Sequence, residues 1–369
     1  MALIYNATFD SQTRILSLLD KAGNVISSCE VPSKELVDDP NKPLMLRAIK
    51  DNSSVTLTKK GTLDNTYQTS TNGTDWTDYT LGTSIRLNNG ESVYFRCSNH
   101  PTTQSNSNYV MFTMRGKIEA WHNAYSMIRP DFSSAEGSVG EYGMCSLFKS
   151  CSPLTKAPLL LNALANSCYE KMFNGCTSLT QSPALPATTL APSCYFSMFK
   201  SCKSLTQAPE LPATTLAQGC YAEMFNGCTS LVQAPELPAK TLAPSCYSGM
   251  FSGCTSLTQA PELPATTLVQ YCYSNMFQDC TSLAQAPSLP ATALADFCYS
   301  EMFKSCRSLK EVRIAATTYA TNALSQWLYG VAATGDFYCD PNATIFTIDS
   351  AYGIPKGWTR HALADYPQT

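Results

Sequence analysis

The sequence carries little charge, and none of it is concentrated in one place. Lys, Arg, Asp and Glu make up 14% of the 369 residues, and the formal net charge is −3. Nucleic acids are bound through clusters of Lys and Arg, and no such cluster occurs, so we expect no nucleic-acid partner. No apolar run approaches the roughly 18 residues that a membrane-spanning helix needs, so no membrane span is expected either.

Motifs for catalysis and for metal binding are also missing. There is no Gly-x-Ser-x-Gly, no His-Glu-x-x-His, no phosphate-binding loop and no dinucleotide fingerprint. Histidine occurs three times and no Cys-x-x-Cys is present, which disfavours a zinc site. Glu119, His122 and Asp131 are polar but scattered, as solvated surface residues usually are. The sequence therefore predicts no enzyme, no cofactor and no metal.

The N-terminal sequence lacks the marks of a secretory signal. Met1-Ala-Leu-Ile-Tyr-Asn-Ala-Thr-Phe-Asp10 has neither a positive start nor an apolar segment after it. We expect either that the chain stays in the cytoplasm or that it leaves by another route, such as assembly into a virus particle. A signal segment that has been removed is the alternative.

What is present, in abundance, is a repeat. The unit reads Cys-Tyr-x-x-Met-Phe-x-x-Cys-x-Ser-Leu-x-x-Ala-Pro-x-Leu-Pro-Ala, and its period is 26 residues (194 − 168). A fixed period in this range predicts a solenoid, in which each unit buries its apolar face against its neighbours. The first cysteine of the unit recurs at Cys168, Cys194, Cys220, Cys246, Cys272 and Cys298, and the second at Cys176, Cys202, Cys228, Cys254, Cys280 and Cys306.

The spacing within the unit predicts a helix and free thiols. Cys194, Met198 and Cys202 recur at i, i+4 and i+8, which is one face of a helix. Two cysteines eight residues apart on a helix are separated by roughly 12 Å, too far for a disulfide, which needs Cα atoms within about 7 Å. The 17 cysteines are therefore interpreted mainly as small buried apolar residues.

The predicted fold class is an α/β solenoid of 26-residue repeats, each a helix plus a short strand, preceded by a small all-β sandwich domain and an N-terminal β-meander. The organisation that we predict is a meander with a linker, a small antiparallel β-sandwich, a connector with the N-terminal cap, the repeats and a C-terminal cap. These span residues 1–40, 41–117, 118–141, 142–312 and 313–369.

Six strands are predicted in the sandwich, together with the place of its tryptophan. Trp76 is expected in the core, with stacking on a sugar ring as the alternative. The strands are Leu44–Ile49, Ser54–Thr58, Asn65–Ser70, Ser84–Leu87, Ser92–Cys97 and Tyr109–Met114. In the C-terminal cap, Asn322 to Tyr329 is expected to be helical and Asp336 to Cys339 extended.

Two rows of polar residues follow from the same period and form the candidate binding surface. If neighbouring units stack at roughly 4.8 Å, the carboxylates of the acidic row repel each other. Such a row is expected to be a solvated face, with a cation site or a docking surface for a basic partner as the functional alternative. The glutamine row is expected to form a ladder of hydrogen bonds between side-chain amides. The residues are Gln207, Glu210, Gln233, Glu236, Gln259 and Glu262.

The repeat resembles a known family. Met-Phe-x-x-Cys-Thr-Ser-Leu-x-x-Ala-Pro-x-Leu-Pro-Ala-Thr-Thr-Leu, as at Met250–Val269, is similar to the BspA-like leucine-rich repeats of bacteroidete proteins. The cysteine of Cys-Thr-Ser-Leu stands where the common leucine-rich repeat has asparagine. The flanks, from Tyr67 to Trp76 and from Gly353 to Trp358, are similar to the segments that border such repeats.

The resemblance implies a surface adhesin that binds host matrix, mucin or cells. The segment from Tyr5 to Asn24 instead looks like an attachment element of phage structural proteins. Together they imply a phage virion fibre or decoration protein, joined through residues 1–31 to other virion proteins or identical chains, with repeats that bind a host-surface glycan or protein. A bacterial cell-surface adhesin is the alternative, and an enzyme that carries the repeats for substrate binding is a third.

Overall fold

The computed structural model describes residues 6–10, 15–19, 22, 25–30, 36–99, 104–132, 139–350 and 352–366. Contacts divide the chain into two compact units, Met1–Asp38 and Asp39–Thr369. Across these described ranges no helix is both long and apolar enough to cross a membrane.

The first unit is a three-stranded antiparallel meander, in the strand order predicted. Its strands are β1 (Asn6–Asp10), β2 (Ile15–Leu19) and β3 (Val25–Glu30). Most residues of the connections between these strands, and most of the apolar side chains of the segment, lie outside the described residues.

The second unit begins with two sheets that share a core. A three-stranded sheet has the order β10-β5-β8, and a six-stranded sheet has the order β12-β11-β4-β9-β6-β7. All six predicted strands are present within a few residues of their expected bounds, whereas β7 and β11 were not predicted. The strands are β4 (Leu44–Ala48), β5 (Ser53–Lys60), β6 (Tyr67–Ser70), β7 (Thr77–Tyr79), β8 (Ile85–Leu87), β9 (Ser92–Cys97), β10 (Tyr109–Arg115), β11 (Ile118–Trp121) and β12 (Leu154–Lys156).

The larger sheet runs without a break into the repeats. Strand β12 belongs to the first, irregular repeat and pairs in parallel with β11. Between them lies a short 3₁₀ helix, Ala124–Met127, whose N-terminus is capped by the Asn123 side chain. Phe112 of β10 stacks on Phe148 of the first repeat with ring centroids 5.3 Å apart. The apolar core is therefore continuous from the sheets into the solenoid.

The helix-plus-strand solenoid predicted from the sequence is wrong. The segments that carry the Cys-Tyr-x-x-Met-Phe motif are successions of turns, and no α-helix occurs in any part of the chain that the structure describes. The predicted helix from Asn322 to Tyr329 is wrong in the same way, since residues 321–330 also form consecutive turns.

Successive backbone N–H groups in these segments alternate between two kinds of acceptor: a carbonyl of the same segment and a carbonyl of the following repeat. The N–H of Met198 bonds to the carbonyl of Tyr195, three residues back, at 3.1 Å, as in a β-turn. The N–H of Phe199 bonds instead to the carbonyl of Met224, in the following repeat, at 2.9 Å. An α-helix would bond every N–H four residues back within one segment, and here half of the donors join neighbouring repeats.

Left-handed backbone conformations recur at every fourth residue and explain why no helix forms. Ser193, Ser197 and Ser201 have φ values of 52°, 51° and 61°, and Gly227 has 74°. A residue with positive φ interrupts an α-helix, and glycine adopts it without strain. Glycine in the Asn-Gly-Cys and Ser-Gly-Cys versions of the unit has positive φ and occupies the last turn of this series.

Two columns of stacked rings fill the space behind the turns. Neighbouring tyrosines, such as Tyr195 and Tyr221, stack with centroids 5.9 Å apart, and neighbouring phenylalanines, such as Phe199 and Phe225, with centroids 5.7 Å apart. These side chains are almost completely buried. Apolar burial and ring stacking therefore repeat once per unit and form the main stabilising contact between repeats.

The cysteines of the repeats are buried free thiols. The Sγ of Cys202 donates to the carbonyl oxygen of Phe173, one repeat back, at 3.2 Å, and Cys228 does the same to Phe199 at 3.1 Å. Burial raises the pKa of Cys228 to about 12. A thiol held protonated in this way is a weak nucleophile.

The opposite side of the solenoid has little regular structure. Neighbouring units meet there in isolated parallel bridges, such as Gln207 with Gln233 and Thr189 with Thr215. Pro209 and Pro212 have no N–H to donate, which keeps the pairing short. The sole two-residue pair of strands in this region of the described chain is β13 (Ala293–Leu294) with β15 (Thr318–Tyr319).

A parallel three-stranded sheet closes the C-terminal end. Its order is β14 (Glu311–Arg313), β16 (Gly335–Cys339) and β17 (Trp358–Ala362), and a 3₁₀ turn, Leu363–Asp365, follows. Strand β16 confirms the extended segment predicted from Asp336 to Cys339.

Candidate functional site

The exposed row of glutamates lies on the bridged side of the solenoid. In each unit a proline that is buried or half-buried precedes the glutamate and a buried leucine follows it, as in Pro209-Glu210-Leu211. Because the backbone is extended, the side chains on either side point inward and that of the glutamate points outward. Glu210, Glu236 and Glu262 are all exposed, as the sequence predicts.

Crevices open between successive units along this row. One, of about 280 Å³, is lined by Gln233, Glu236, Gln259 and Glu262, together with proline and alanine side chains. The next, of about 450 Å³, is lined by Glu210, Gln233 and Glu236 with the same kinds of apolar neighbour. The structure therefore brings five of the six predicted residues into adjoining crevices, and Gln207 lies outside the lining of both.

The crevices combine acidic and apolar lining residues. No ion pair within the described chain engages Glu210, Glu236 or Glu262. By contrast, Glu223, on the turn side, accepts from Lys200 Nζ at 2.7 Å and from Ser197 Oγ at 2.9 Å, and these hydrogen bonds lower its pKa against the opposing effect of desolvation by burial. The three glutamates thus carry negative charge that no ion pair among the described residues neutralises.

The glutamine row is held by its backbone. Gln207, Gln233 and Gln259 form consecutive parallel bridges, and their side-chain amides make no hydrogen bond with one another in the described structure, so the expected ladder of side-chain amides is wrong. The row ends in a polar cluster that sequence reasoning missed. There Gln285 Nε2 donates to Tyr366 Oη at 2.8 Å, and Tyr366 Oη donates to Glu311 at 2.8 Å.

The scattered polar residues considered as a catalytic group have separate partners. Glu119 accepts from the Trp121 indole at 2.9 Å, and Asp131 pairs with Arg129 at 2.7 Å. His122 is buried, and its Nδ1 accepts from the Asp39 N–H at 3.1 Å. Among the residues that the structure describes, no group of three or more His, Cys, Asp or Glu side chains could hold a metal ion.

Trp76 does not lie in the core. It is half-buried immediately before β7, with the Arg96 guanidinium 4.2 Å from its ring centroid. The interpretation of Trp76 as a core residue is therefore wrong. The strand that would have revealed its outward position, β7, is three residues long and gave no strand signal of its own.

Comparison with known proteins identifies the repeats. A family model for the BspA type leucine rich repeat region matches residues 193–326 in six copies. A solved structure, that of a leucine-rich repeat protein from Bacteroides ovatus, is 16% identical over 60% of this chain and 71% of that chain, with a TM-score of 0.25. That score is too low to support a structural argument. No curated protein matches.

The 26-residue period, the pattern of buried positions and the family match all indicate the same repeating unit. The turn segments with their stacked rings, and the proline-bearing bridged segments, alternate through the region that the family model covers. The resemblance to BspA-like repeats seen in the motif is confirmed to this extent: residues 193–326 match the BspA type leucine rich repeat model.

Proposed function

We propose that the chain is a non-enzymatic binding protein of the adhesin type, and that its repeats hold a host-surface or mucosal ligand. The contact surface is the crevice row, which we define as Gln207, Glu210, Gln233, Glu236, Gln259 and Glu262. The observation that carries the proposal is the row of exposed carboxylates without an ion-pair partner in the described chain, each beside an apolar crevice.

The chemistry of the crevice row favours a protein or glycan that carries positive charge beside apolar surface. A basic group placed between two glutamates of successive units relieves their mutual repulsion. Proline and alanine in the lining bury the apolar part of the same ligand. Because the row is fixed by stacked repeats, the protein loses little conformational entropy on binding.

The carrier that we propose is a phage virion, in which the chain serves as a fibre or decoration protein. The separate three-stranded unit, Met1–Asp38, supports an attachment role, because so few strands cannot bury an apolar face alone. Residues 1–31 would then join other virion proteins or identical chains. A bacterial cell-surface adhesin is the second candidate, which the BspA-type repeats favour.

The crevice row is tested by charge neutralisation. We expect the triple variant Glu210→Gln, Glu236→Gln, Glu262→Gln to lose binding of the full chain to a surface coated with basic matrix protein, and to lose the dependence of that binding on salt. The matched control Glu141→Gln, Asp349→Asn, Asp365→Asn removes three exposed charges elsewhere and should bind as the parent does. Equal binding by both variants would contradict the proposal.

The proposal that the chain belongs to a phage virion is tested by finding where the protein is located. Antibodies against the repeats should label purified phage particles from a lysed culture in the electron microscope, and should not label intact uninfected cells. Label confined to the surface of uninfected cells would replace the virion with the cell-surface adhesin.

A further inference from the structure

We propose that the chain has a second binding site, for an oligosaccharide, on the outer face of the six-stranded sheet. We call this surface the aromatic face. It lies outside the repeats, and the argument for it does not depend on the crevice row. Its residues are Gln68, Trp76, Asp78, Tyr94, Arg96 and Trp121.

Successive side chains of β9 point to opposite faces of the sheet. Val93, Phe95 and Cys97 are buried in the shared core, whereas Tyr94 and Arg96 point to the other side and are half-exposed. Side chains on neighbouring strands follow the same alternation. The outer face is therefore built from residues that the core does not use.

Aromatic rings lie on alternate strands across this face. Strand pairing aligns Trp121 of β11 with Met45 of β4, and Met45 with Tyr94 of β9. Tyr94 pairs in turn with Ser70 of β6. Since strands are about 4.8 Å apart, Trp121 and Tyr94 are separated by roughly 10 Å. The row is thus a corrugated surface in which half-exposed rings stand beside nearly buried residues.

A chain of polar groups runs beside Tyr94. Gln68 Nε2 donates to Asp78 Oδ1 at 3.0 Å, and Gln68 Oε1 accepts from Arg96 Nε and Nη2 at 3.0 and 2.8 Å. The Arg96 guanidinium lies against the Trp76 ring at 4.2 Å, a cation–π contact that fixes both side chains. The four groups therefore hold one another in place before any ligand arrives.

Hydrogen-bonding capacity is left over and directed outward. Within the described structure, Arg96 Nη1, Asp78 Oδ2 and the Tyr94 hydroxyl take part in no hydrogen bond. Both donors and acceptors are thus free on the same small area. Groups of this kind, few in number and held in position, are what orient a small ligand.

Trp121 repeats the arrangement at the other end of the row. Its indole N–H donates to Glu119 Oε2 at 2.9 Å, and Lys156 Nζ lies 3.9 Å from the ring centroid. Each tryptophan of the face is therefore accompanied by one cation and by one carboxylate nearby. The aromatic face is nearly balanced in charge.

This combination fits an oligosaccharide. One face of each ring is covered, Trp76 by Arg96, Trp121 by Lys156 and Tyr94 by His122, and each ring is still half-exposed. A sugar ring presents C–H groups that this exposed aromatic surface attracts, and hydroxyls at its rim that both donate and accept. A polyanion would require a surplus of cations, which the paired carboxylates remove. A purely apolar partner would leave Arg96 and Asp78 buried without solvent.

The test uses the full chain and an array of oligosaccharides from mucosal glycans and bacterial polysaccharides, followed by calorimetric titration of the best-bound one. We expect Trp76→Ala and Arg96→Met each to weaken its affinity by about tenfold, the scale of one lost stacking or charge-assisted contact. The control Tyr329→Ala removes an aromatic side chain that is 66% exposed in the C-terminal cap and should leave the affinity unchanged.

Two further variants make the outcome unambiguous. If Trp76→Ala loses its cooperative thermal transition, Asp78→Asn takes its place, because the new amide oxygen still accepts from Gln68 while the charge is removed. The triple glutamine variant of the crevice row should keep full oligosaccharide affinity, which separates a failure of this proposal from a failure of the first.

The proposal is overturned if no oligosaccharide on the array binds, or if the variants of the aromatic face bind as the parent does. It is also overturned if Trp76→Ala changes the mass measured by light scattering, because the face would then contact a second copy of the chain.

Discussion

The two sides of each repeat differ in how they contact the neighbouring repeats. On the turn side, around Cys194 to Cys202, the alternating backbone donors bond either within the turn or to the next unit, and the rings behind them are stacked. On the bridged side, around Gln207 to Leu216, pairing is reduced to single bridges and interrupted by proline. The comparison indicates that the turn side supplies most of the contacts between repeats, whereas the bridged side contributes few and carries the exposed residues of the proposed crevice row.

The largest effect that would test this comparison is loss of stability in alkali. Burial raises the pKa of Cys228 to about 12 and that of Cys220 to about 12, from an ordinary value of 9.0. Between pH 9 and 12 the unfolded chain loses these protons and the folded chain keeps them, so stability falls as pH rises, by about 1.4 kcal/mol per thiol per pH unit. Because the thiols lie on the turn side, the whole rod should unfold together.

The measurement is urea unfolding at pH 7.5 and at pH 10, followed by circular dichroism. A thiol-reactive dye should find almost no accessible sulfhydryl in the folded protein at pH 7.5 and nearly all of them in denaturant. Equal stability at the two pH values would show that the thiols are already ionised or bonded in pairs.

Removing one ring from the phenylalanine column should have the next largest effect. Phe225 is fully buried and stacks on Phe199 and Phe251 at 5.7 Å on each side. Phe225→Ala should therefore lower the free energy of unfolding by about 3–5 kcal/mol, as for other buried phenylalanines. Denaturant unfolding gives the value, and Val232→Ala, at an exposed position on the bridged side, is the control. A cost below 1 kcal/mol would mean that the column does not stabilise the repeats.

A change of backbone conformation on the turn side should cost less. Gly227 has φ of 74°, and a Cβ added there would lie 3.3 Å from Ser201 Oγ. Gly227→Ala should destabilise by about 1–2 kcal/mol, since alanine is strained in the left-handed region. Gly227→Asn, which tolerates that region better, should recover part of the loss. If alanine proves neutral, the turns described above are not those of the protein in solution.

The smallest effect is expected on the bridged side. Glu236 is exposed and flanked by Glu210 and Glu262 on neighbouring units. Glu236→Gln should change the free energy of unfolding by less than about 0.5 kcal/mol, or stabilise slightly, because it relieves repulsion between like charges. A thermal melt at low salt checks this. A marked loss of stability would indicate that the carboxylate holds a cation.

The sequence alone was sufficient to predict which positions of the repeat are buried or exposed. It was insufficient to predict the backbone conformation of the repeat. The period, the buried Cys, Tyr, Met and Phe positions and the exposed Glu row could all be read from spacing. The helix was wrong because Cys194, Met198 and Cys202 fit a helical face and a four-residue turn unit equally well. The deciding hydrogen bonds join residues 25 apart, as between Phe199 and Met224, and such pairs leave no local signal.

One of the candidate sites could likewise be predicted from the sequence, and the others could not. The crevice row was predicted because period and polarity suffice to place a residue on an exposed row. Tyr366 was missed because it reaches Gln285 from 81 residues away. The aromatic face was missed because β7 and β11 were not recognised as strands, so nothing placed Trp76 and Trp121 on one sheet.

The alternation of donors gives the rod a direction. Each turn segment donates its spare N–H groups towards the C-terminus, and the segment at residues 321–330 receives the last of them, as from Phe303 to Trp327 at 2.9 Å. A further unit of 26 residues inserted between two existing ones would accept on one side and donate on the other, and neither end would need to change. Duplication of the coding sequence for one unit could therefore lengthen the crevice row by one unit at a time, while the terminal elements stay the same.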